Sequence, residues 1–325
     1  MITTTTESRV FMQLLFLGTG AGMPSKQRNT SSLALKLLEE RGAVWLFDCA
    51  EATQHQILHT TLKPRKIEKI FITHLHGDHI FGLPGLLASR SFQSGDEPVE
   101  IYGPPGIREF VESVLRISRT HLNFAIRFIE QLDGLVFEDD GMSVRAAELD
   151  HVIPSYGYRI EQKPLPPKLL IERARELGVP KGPLLAKLKN GEDILLDNGT
   201  VVRSEDVTEA GNKGFVVTIL GDTRYCQAAI ELGNGADVLV HEATFDADTE
   251  KMAGEYGHST IREAAETAKQ ANAKTLIVNH LSSRFLPEDE KKLVKEMQKV
   301  HEDSFIAHDF DEFEWKVHEE TMKKK

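Results

Sequence analysis

Residues 69–79 read Lys69-Ile70-Phe71-Ile72-Thr73-His74-Leu75-His76-Gly77-Asp78-His79. The first five, KIFIT, form a short apolar run of the length and composition of a buried strand. The strand stops at four ligand-capable side chains within six positions. Imidazole and carboxylate together suit Zn²⁺ and metals of similar character. The i, i+2 spacing of His74 and His76 in an extended turn aims both at one ion, and Asp78 and His79 then reach a second one nearby. Gly77 permits the tight backbone that such crowding requires. A single histidine is ordinarily a packing or surface residue; this density is hard to explain without a metal.

The pattern continues on both sides of this stretch. Residues 12–17 (MQLLFL), Ser32–Leu37, Ala43–Phe47, 216–220 (VVTIL), 238–240 and Thr275–Asn279 (TLIVN) read as strands, and residues 53–60, 107–116 and 260–270 as helices. Short strands interleaved with helices predict a layered α/β fold around packed sheets. Three more ligand-capable residues lie just past strand ends, where loops gather functional groups on a rigid frame. His151 follows the alternating segment 143–149, Asp222 follows VVTIL within Gly221-Asp222-Thr223, and His280 follows TLIVN.

Composition narrows the classes. The chain has 325 residues, 40% of them apolar and 27% charged, which is globular rather than disordered. No apolar run approaches 18 residues and mean hydropathy is −0.29, so no membrane span is expected. Two cysteines, Cys49 and Cys226, exclude a disulfide scaffold and an all-cysteine zinc site and suit a reducing cytoplasm. A net charge of −11 argues against a uniformly basic nucleic-acid binder. One segment runs the other way. Residues 163–191 carry seven Lys or Arg against two Glu, a local charge of +5, punctuated by five prolines. They read either as a structured insertion projecting from the core or as a solvated linker with a short helix at 169–177. Residues 1–11 read as a polar N-terminal extension and 321–325 as a solvated basic tail.

Taken together, HLHGDH, His151, Asp222 in its GDT turn and the late His280 resemble the metallo-β-lactamase superfamily of dinuclear metallohydrolases. The stretches FLGTG (16–20), PSKQRN (24–29), HEATF (241–245), HST (258–260) and HLSSRF (280–285) are similar to the ribonuclease Z family within it, the tRNA 3′-processing endoribonucleases. The likeness runs from about residue 12 to the last strand. It implies a four-layer αββα sandwich over residues 12–320 with an inserted basic flexible arm at about 163–213. It implies two Zn²⁺ per subunit, with other divalent metals such as Mn²⁺ able to serve. His74, His76 and His151 would hold one ion, Asp78, His79 and His280 the other, and Asp222 would bridge them. His121 competes with His151 but lacks a preceding strand.

The same likeness implies a cytoplasmic homodimer acting on precursor tRNA. It would remove the 3′ trailer by attack of a metal-activated water on the phosphodiester, leaving a tRNA 3′-hydroxyl and a 5′-phosphate. Asp78 would accept the water's proton. His258 is the candidate acid for the leaving oxygen, with Glu242 as its carboxylate partner. Ser259 or Thr260 would cap the helix that follows. Lys26, Arg28, Lys181, Lys187, Lys189, Ser283 and Arg284 are the candidate RNA contacts. The enzyme rival is a small-molecule phosphodiesterase or arylsulfatase of the same superfamily, for which the basic insertion would have no use; the non-enzyme rival is a metal-stabilised RNA-binding protein, disfavoured by a complete ligand set with an acid candidate. His55, His59, His301, His308 and His318 are expected at the surface or in packing, with His241 beside the site, and the two cysteines as buried neutral thiols.

Overall fold

The computed structural model describes residues 10–164, 169–208, 214–316 and 321–325. Two sheets organise them. The first has eight strands in the order Thr321–Lys324, Glu312–Lys316, Val10–Gly18, Ser32–Leu37, Ala43–Phe47, Ile67–Phe71, Val99–Tyr102, Ile126–Ile129. The second has seven, in the order Ser304–Ile306, Thr275–Asn279, Val238–Glu242, Val216–Ile219, Ser155–Gln162, Met142–Leu149, Gly134–Glu138. Strands with continuous apolar runs, such as Ala43–Phe47 and Val238–Glu242, are buried along their whole length and pair in parallel with a neighbour. This is the pattern of strands covered on both faces. Met142–Leu149 instead alternates buried and accessible positions, as its sequence does.

Aromatic rings join the sheets. Tyr158 of the second sheet packs on Phe47 and Phe71 of the first, and its hydroxyl donates to the Ile72 carbonyl at 2.6 Å. Outside the first sheet, helices Thr53–Leu58, Leu83–Phe92 and Ile107–Ser118 bury Ile57, Leu83, Leu87, Ile107 and Val111. Outside the second, Gln227–Gly233, Ile261–Gln270 and Glu290–Gln298 bury Leu232, Ile261, Ala264, Ala268 and Leu293. The result is the four-layer αββα sandwich. Thr260 starts one of these helices with a reciprocal capping box to Glu263.

Residues 138–143 and 161–215 form a second compact unit. Its helices Ile171–Glu176, Pro183–Lys189 and Ser204–Val207 and a two-stranded ribbon, Ile194–Leu195 with Val201–Val202, enclose their own core of Ala174, Val179, Leu188, Ile194, Val202 and Val207. The solvated-linker reading of residues 163–191 is therefore corrected. With Leu196 these make seven apolar side chains spread from Ala174 to Val207, enough to organise a small core. Lys181, Lys187 and Lys189 are exposed on this unit.

Two further expectations change. The first strand begins at Val10, inside the segment read as an extension, and residues 1–9 lie outside the described residues. The segment read as a solvated tail forms strand Thr321–Lys324, antiparallel to Glu312–Lys316. Its lysines have carboxylates to meet there: Lys324 pairs with Asp311 and Lys325 with Glu314. His318, and parts of the basic arm at 165–168 and 209–213, also fall outside the described residues. Among those described, no helix is long and apolar enough to cross a membrane.

Candidate metal centre

The ligand-capable residues converge because they share a position in the fold: the carboxyl end of a strand. Open α/β sheets present their functional groups at that edge. His74 to His79 follow Ile67–Phe71, His151 follows Met142–Leu149, Asp222 follows Val216–Ile219, and His280 follows Thr275–Asn279. Gly221, beside Asp222, allows this crowding. A Cβ there would come within 2.6 Å of Thr73 and 2.8 Å of the Tyr156 carbonyl.

Donor atoms gather in two groups that each take residues from both sheets: His74, His76, His151 and Asp222 form one, and Asp78, His79 and His280 the other. A third set, Asp222, His258 and His280, overlaps them. His74 Nε2 lies 3.1 Å from His76 Nδ1, which lies 3.3 Å from His151 Nε2. His79 Nε2 lies 3.3 Å from His280 Nε2. Asp222 Oδ2 stands between the groups, 3.6 Å from His74, 3.5 Å from His79 and 3.3 Å from His280. His121 belongs to neither group; it is exposed beyond the end of Ile107–Ser118.

The outer contacts show that this donor set fits metal ions. Metal-binding imidazoles characteristically donate the distal N–H to a fixed acceptor, which sets the tautomer and aims the other lone pair inward. Four do so here. His74 Nδ1 donates to Thr73 Oγ1 (3.0 Å), His79 Nδ1 to Asp48 Oδ2 (2.7 Å), His151 Nδ1 to the Gly257 carbonyl (2.6 Å) and His280 Nδ1 to Thr244 Oγ1 (2.8 Å). Burial, the largest influence, keeps His74, His76 and His151 below the ordinary imidazole pKa and so favours the neutral, ligating form. Burial alone would raise the Asp78 pKa, but the His280 hydrogen bond and neighbouring imidazoles hold it far below the usual carboxylate range. Asp222 is likewise held ionised against its burial by His280, His79 and His74. One buried carboxylate, Asp222, and one partly buried, Asp78, facing convergent imidazoles make a site suited to divalent cations.

Asp48 was not singled out from the sequence. Its Oδ1 accepts from the Thr73 amide (2.8 Å), and its Oδ2 from Thr73 Oγ1 (2.9 Å) and His79. The signal is in the sequence: Asp48 follows the strand run AVWLF, the placement shared by the donor residues. Asp48 and His280 both adopt left-handed backbone, at φ 56° and 55°. Conformations of that kind persist where surrounding structure enforces them, often at functional sites.

His258 stands beside the second group. Its Nδ1 donates to Glu242 Oε1 at 3.1 Å and lies 3.7 Å from Asp222 Oδ2. Burial would lower its pKa, but the hydrogen bond and charge of Glu242, with Asp222, outweigh that and push it up to about 9. Glu242 is almost fully buried. Its other acceptor positions take the amides of Thr223 (3.3 Å), Thr244 (2.9 Å) and Ser259 (2.9 Å).

The loop expected to meet RNA divides. Lys26 is exposed. Arg28 is turned inward: its Nη1 donates to Thr19 Oγ1 (2.7 Å) and to the Ala307 carbonyl (2.5 Å). Behind it Asp309 accepts from Thr19 Oγ1, the Asn29 amide and Gln56 Nε2. This loop reaches the donor residues through two backbone contacts. The Gly22 amide donates to Asp78 Oδ2 (2.7 Å), and the Thr19 carbonyl accepts from the Leu281 amide next to His280 (3.0 Å). Ser283 and Arg284 are exposed beyond His280.

Among the remaining histidines, His241 is fully buried and donates Nδ1 to the Glu242 carbonyl, and His301 bonds to the Ala273 carbonyl. Cys49 is buried and its thiol pKa is driven up by that burial, whereas Cys226 is only partly buried, on a loop end near Thr223.

The chain matches a family model described as "Anti-Pycsar protein Apyc1" over residues 12–164 and one described as "Beta-lactamase superfamily domain" over residues 206–281. It is 55% identical to a Ribonuclease Z of Geobacillus kaustophilus over 302 residues, which is 93% of this chain and 98% of that one. It is 53% identical to a Ribonuclease Z of Limosilactobacillus fermentum, covering 93% of this chain and 98% of that one. Among solved structures it resembles the short form of human tRNase Z, with a TM-score of 0.65, 33% identity, and coverage of 93% of this chain and 98% of that one.

Proposed function

The chain belongs to the ribonuclease Z family, and from that premise we propose the reaction: endonucleolytic removal of the 3′ trailer from precursor tRNA. The observation that carries the chemistry is Asp222 Oδ2, within 3.3–3.6 Å of imidazoles from both donor groups and 3.7 Å from His258. That spacing supports the reading of Asp222 as a shared carboxylate with a proton donor, His258, at the same reaction centre. His74, His76, His151 and Asp222 would hold one metal ion, and Asp78, His79, His280 and Asp222 the other; two Zn²⁺ per subunit is the reading we favour. Bound there, such ions lower the pKa of water and stabilise charge on phosphoryl oxygens.

The protein's own groups supply the proton transfers. Asp78, ionised and oriented by the Gly22 amide, takes the proton released from the attacking water. His258, with Nδ1 engaged by Glu242, carries its transferable proton on Nε2 and passes it to the leaving 3′-oxygen. A pKa near 9 keeps this acid loaded at neutral pH. The products are a tRNA 3′-hydroxyl and a trailer 5′-phosphate. Glu242 keeps the imidazole charged and fixed, a positioning role.

For the substrate, the exposed Lys181, Lys187 and Lys189 of the basic unit, which is the arm of residues 163–213, and Lys26, Ser283 and Arg284 near the centre would meet phosphates. Recognition would rest on RNA shape and backbone charge. Arg28 leaves this set because its guanidinium is committed to Thr19 and Ala307. We place the enzyme in the cytoplasm as a homodimer. A small-molecule phosphodiesterase or arylsulfatase would leave the exposed lysines without a role. The test is incubation of wild type and Asp78→Ala with a 3′-extended tRNA transcript, followed by mapping of product ends. Cleavage at the trailer junction by wild type alone is expected; an intact transcript with wild type would refute the reading.

A further inference from the structure

One exposed ring beside the reaction centre has no part in the chemistry so far. Tyr256 ends helix Glu250–Tyr256 and is 62% exposed. Its ring runs nearly parallel to that of Phe245, with a 16° interplanar angle and 6.4 Å between centroids. Phe245 is buried, and its other neighbour is the His258 ring at 6.1 Å. The Arg284 guanidinium lies over Phe245, 4.7 Å from the ring centroid. Arg284 Nε donates to Ser282 Oγ (3.0 Å) and its Nη1 contacts Met252 Sδ (3.8 Å), itself 42% exposed. Among the described residues no carboxylate forms an ion pair with Arg284.

The mounting of this surface is stiff. The Gly257 carbonyl, next to Tyr256, takes the His151 N–H, and the His258 amide donates to the Ala253 carbonyl. The Phe245 carbonyl accepts from the Ile261 amide, and the Phe245 amide donates to the Ser259 carbonyl. Tyr256 and Phe245 are thus held in register with His258, and Arg284 is held by the loop that follows His280.

Exposed aromatic faces and arginine planes are the surfaces on which proteins stack unpaired bases. We propose that Tyr256, backed by Phe245 and flanked by Arg284, is a stacking subsite for the nucleobase on the 5′ side of the scissile bond, the last nucleotide that the tRNA keeps. The side follows from the proton transfer: His258 serves the leaving 3′-oxygen, which belongs to that nucleotide, and Phe245, which backs Tyr256, adjoins His258. Arg284 then faces the sugar–phosphate of the same nucleotide. The inference rests on the endonuclease reading above.

The experiment pairs Tyr256→Ala and Tyr256→Phe with three 3′-extended tRNAs: one unmodified, one abasic at the last retained nucleotide, and one abasic at the first trailer nucleotide. Loss of one stacked base costs about 5- to 150-fold. The expected result is a loss of that size in kcat/KM for Tyr256→Ala on the unmodified RNA, near wild-type values for Tyr256→Phe, and an equal loss for wild type on the first abasic RNA. Tyr256→Ala should add nothing on that abasic RNA. Equal losses on all three RNAs would make Tyr256 structural and overturn the subsite. So would indifference of wild type to the first abasic RNA, or sensitivity confined to the trailer-side one. A wild type that cuts none of them refutes the endonuclease reading instead. Binding titrations of the same RNAs then decide the subsite by the same comparison.

Discussion

Asp48→Asn isolates what a residue outside the donor groups contributes to the centre. The substitution keeps the size of the side chain, and asparagine tolerates the left-handed backbone at φ 56° better than most residues. The carboxylate serves three donors: the Thr73 amide on Oδ1, and Thr73 Oγ1 with His79 Nδ1 on Oδ2. An amide has one oxygen. Placed at Oδ2, it keeps His79 but turns its NH₂ on the Thr73 N–H; placed at Oδ1, it turns the NH₂ on His79 Nδ1–H. Either way one buried donor faces another, which costs about 1–3 kcal/mol. Loss of such a partner behind a ligating histidine typically lowers metal affinity by about 10–100-fold, or about 1.4–2.8 kcal/mol. The two estimates agree. Competition of zinc between protein and a chromophoric chelator measures the affinity, and calorimetry of metal-free protein measures the stability. Wild-type zinc affinity in the companion variant Asp48→Ala, which leaves His79 no acceptor in either placement, would refute the claim that Asp48 orients His79.

His258→Ala should lower turnover by about 10²- to 10⁴-fold and leave bound-metal content unchanged; loss of a metal ion would reassign His258 as a ligand, since it also lies near Asp222 and His280. Asp309→Ala removes the acceptor for Thr19, Asn29 and Gln56, so amide exchange of residues 19–30 should rise selectively, read by mass spectrometry. Unchanged exchange there would show that Asp309 does not anchor the loop. His308 has its pKa raised by its hydrogen bond to Asp311 and, against burial, by Glu290. Its stabilising contribution is full below the ordinary imidazole pKa and fades as pH rises through the raised value. His308→Gln should therefore lower Tm at pH 6, with the difference from wild type shrinking by pH 9; a constant difference would contradict the assignment.

Much of the centre was legible because its residues obey a local grammar. HLHGDH packs four donors into one turn, and His151, Asp222 and His280 each follow a strand whose apolar run is plain in the sequence. Other parts depend on contacts between distant segments. Asp48 is one acid among fifty Asp and Glu residues until Thr73 and His79 are placed beside it. A loop arginine reads as solvated, and only Asp309 and the Ala307 carbonyl, some 280 residues away, show why Arg28 turns inward. The basic insertion hid its small core because no two of its apolar residues fall into a long periodic run. The lysines near the C-terminus read as a tail because the acids that receive them, Glu312 and Glu314 of the neighbouring strand and Asp311 just before it, are not visible as partners in the sequence.

The division of donors between the sheets has a mechanical side. Residues 74–79 hang from the first sheet, while His151, Asp222 and His280 hang from the second, and each donor group draws on both. Ions seated there would act as rivets through the two layers near one rim. The interior of each sheet should then tolerate their removal, and the rim should open like the free edge of a book. Chelation would register first as faster amide exchange at the strand ends that carry the ligands, with the far ends and the outer helices undisturbed.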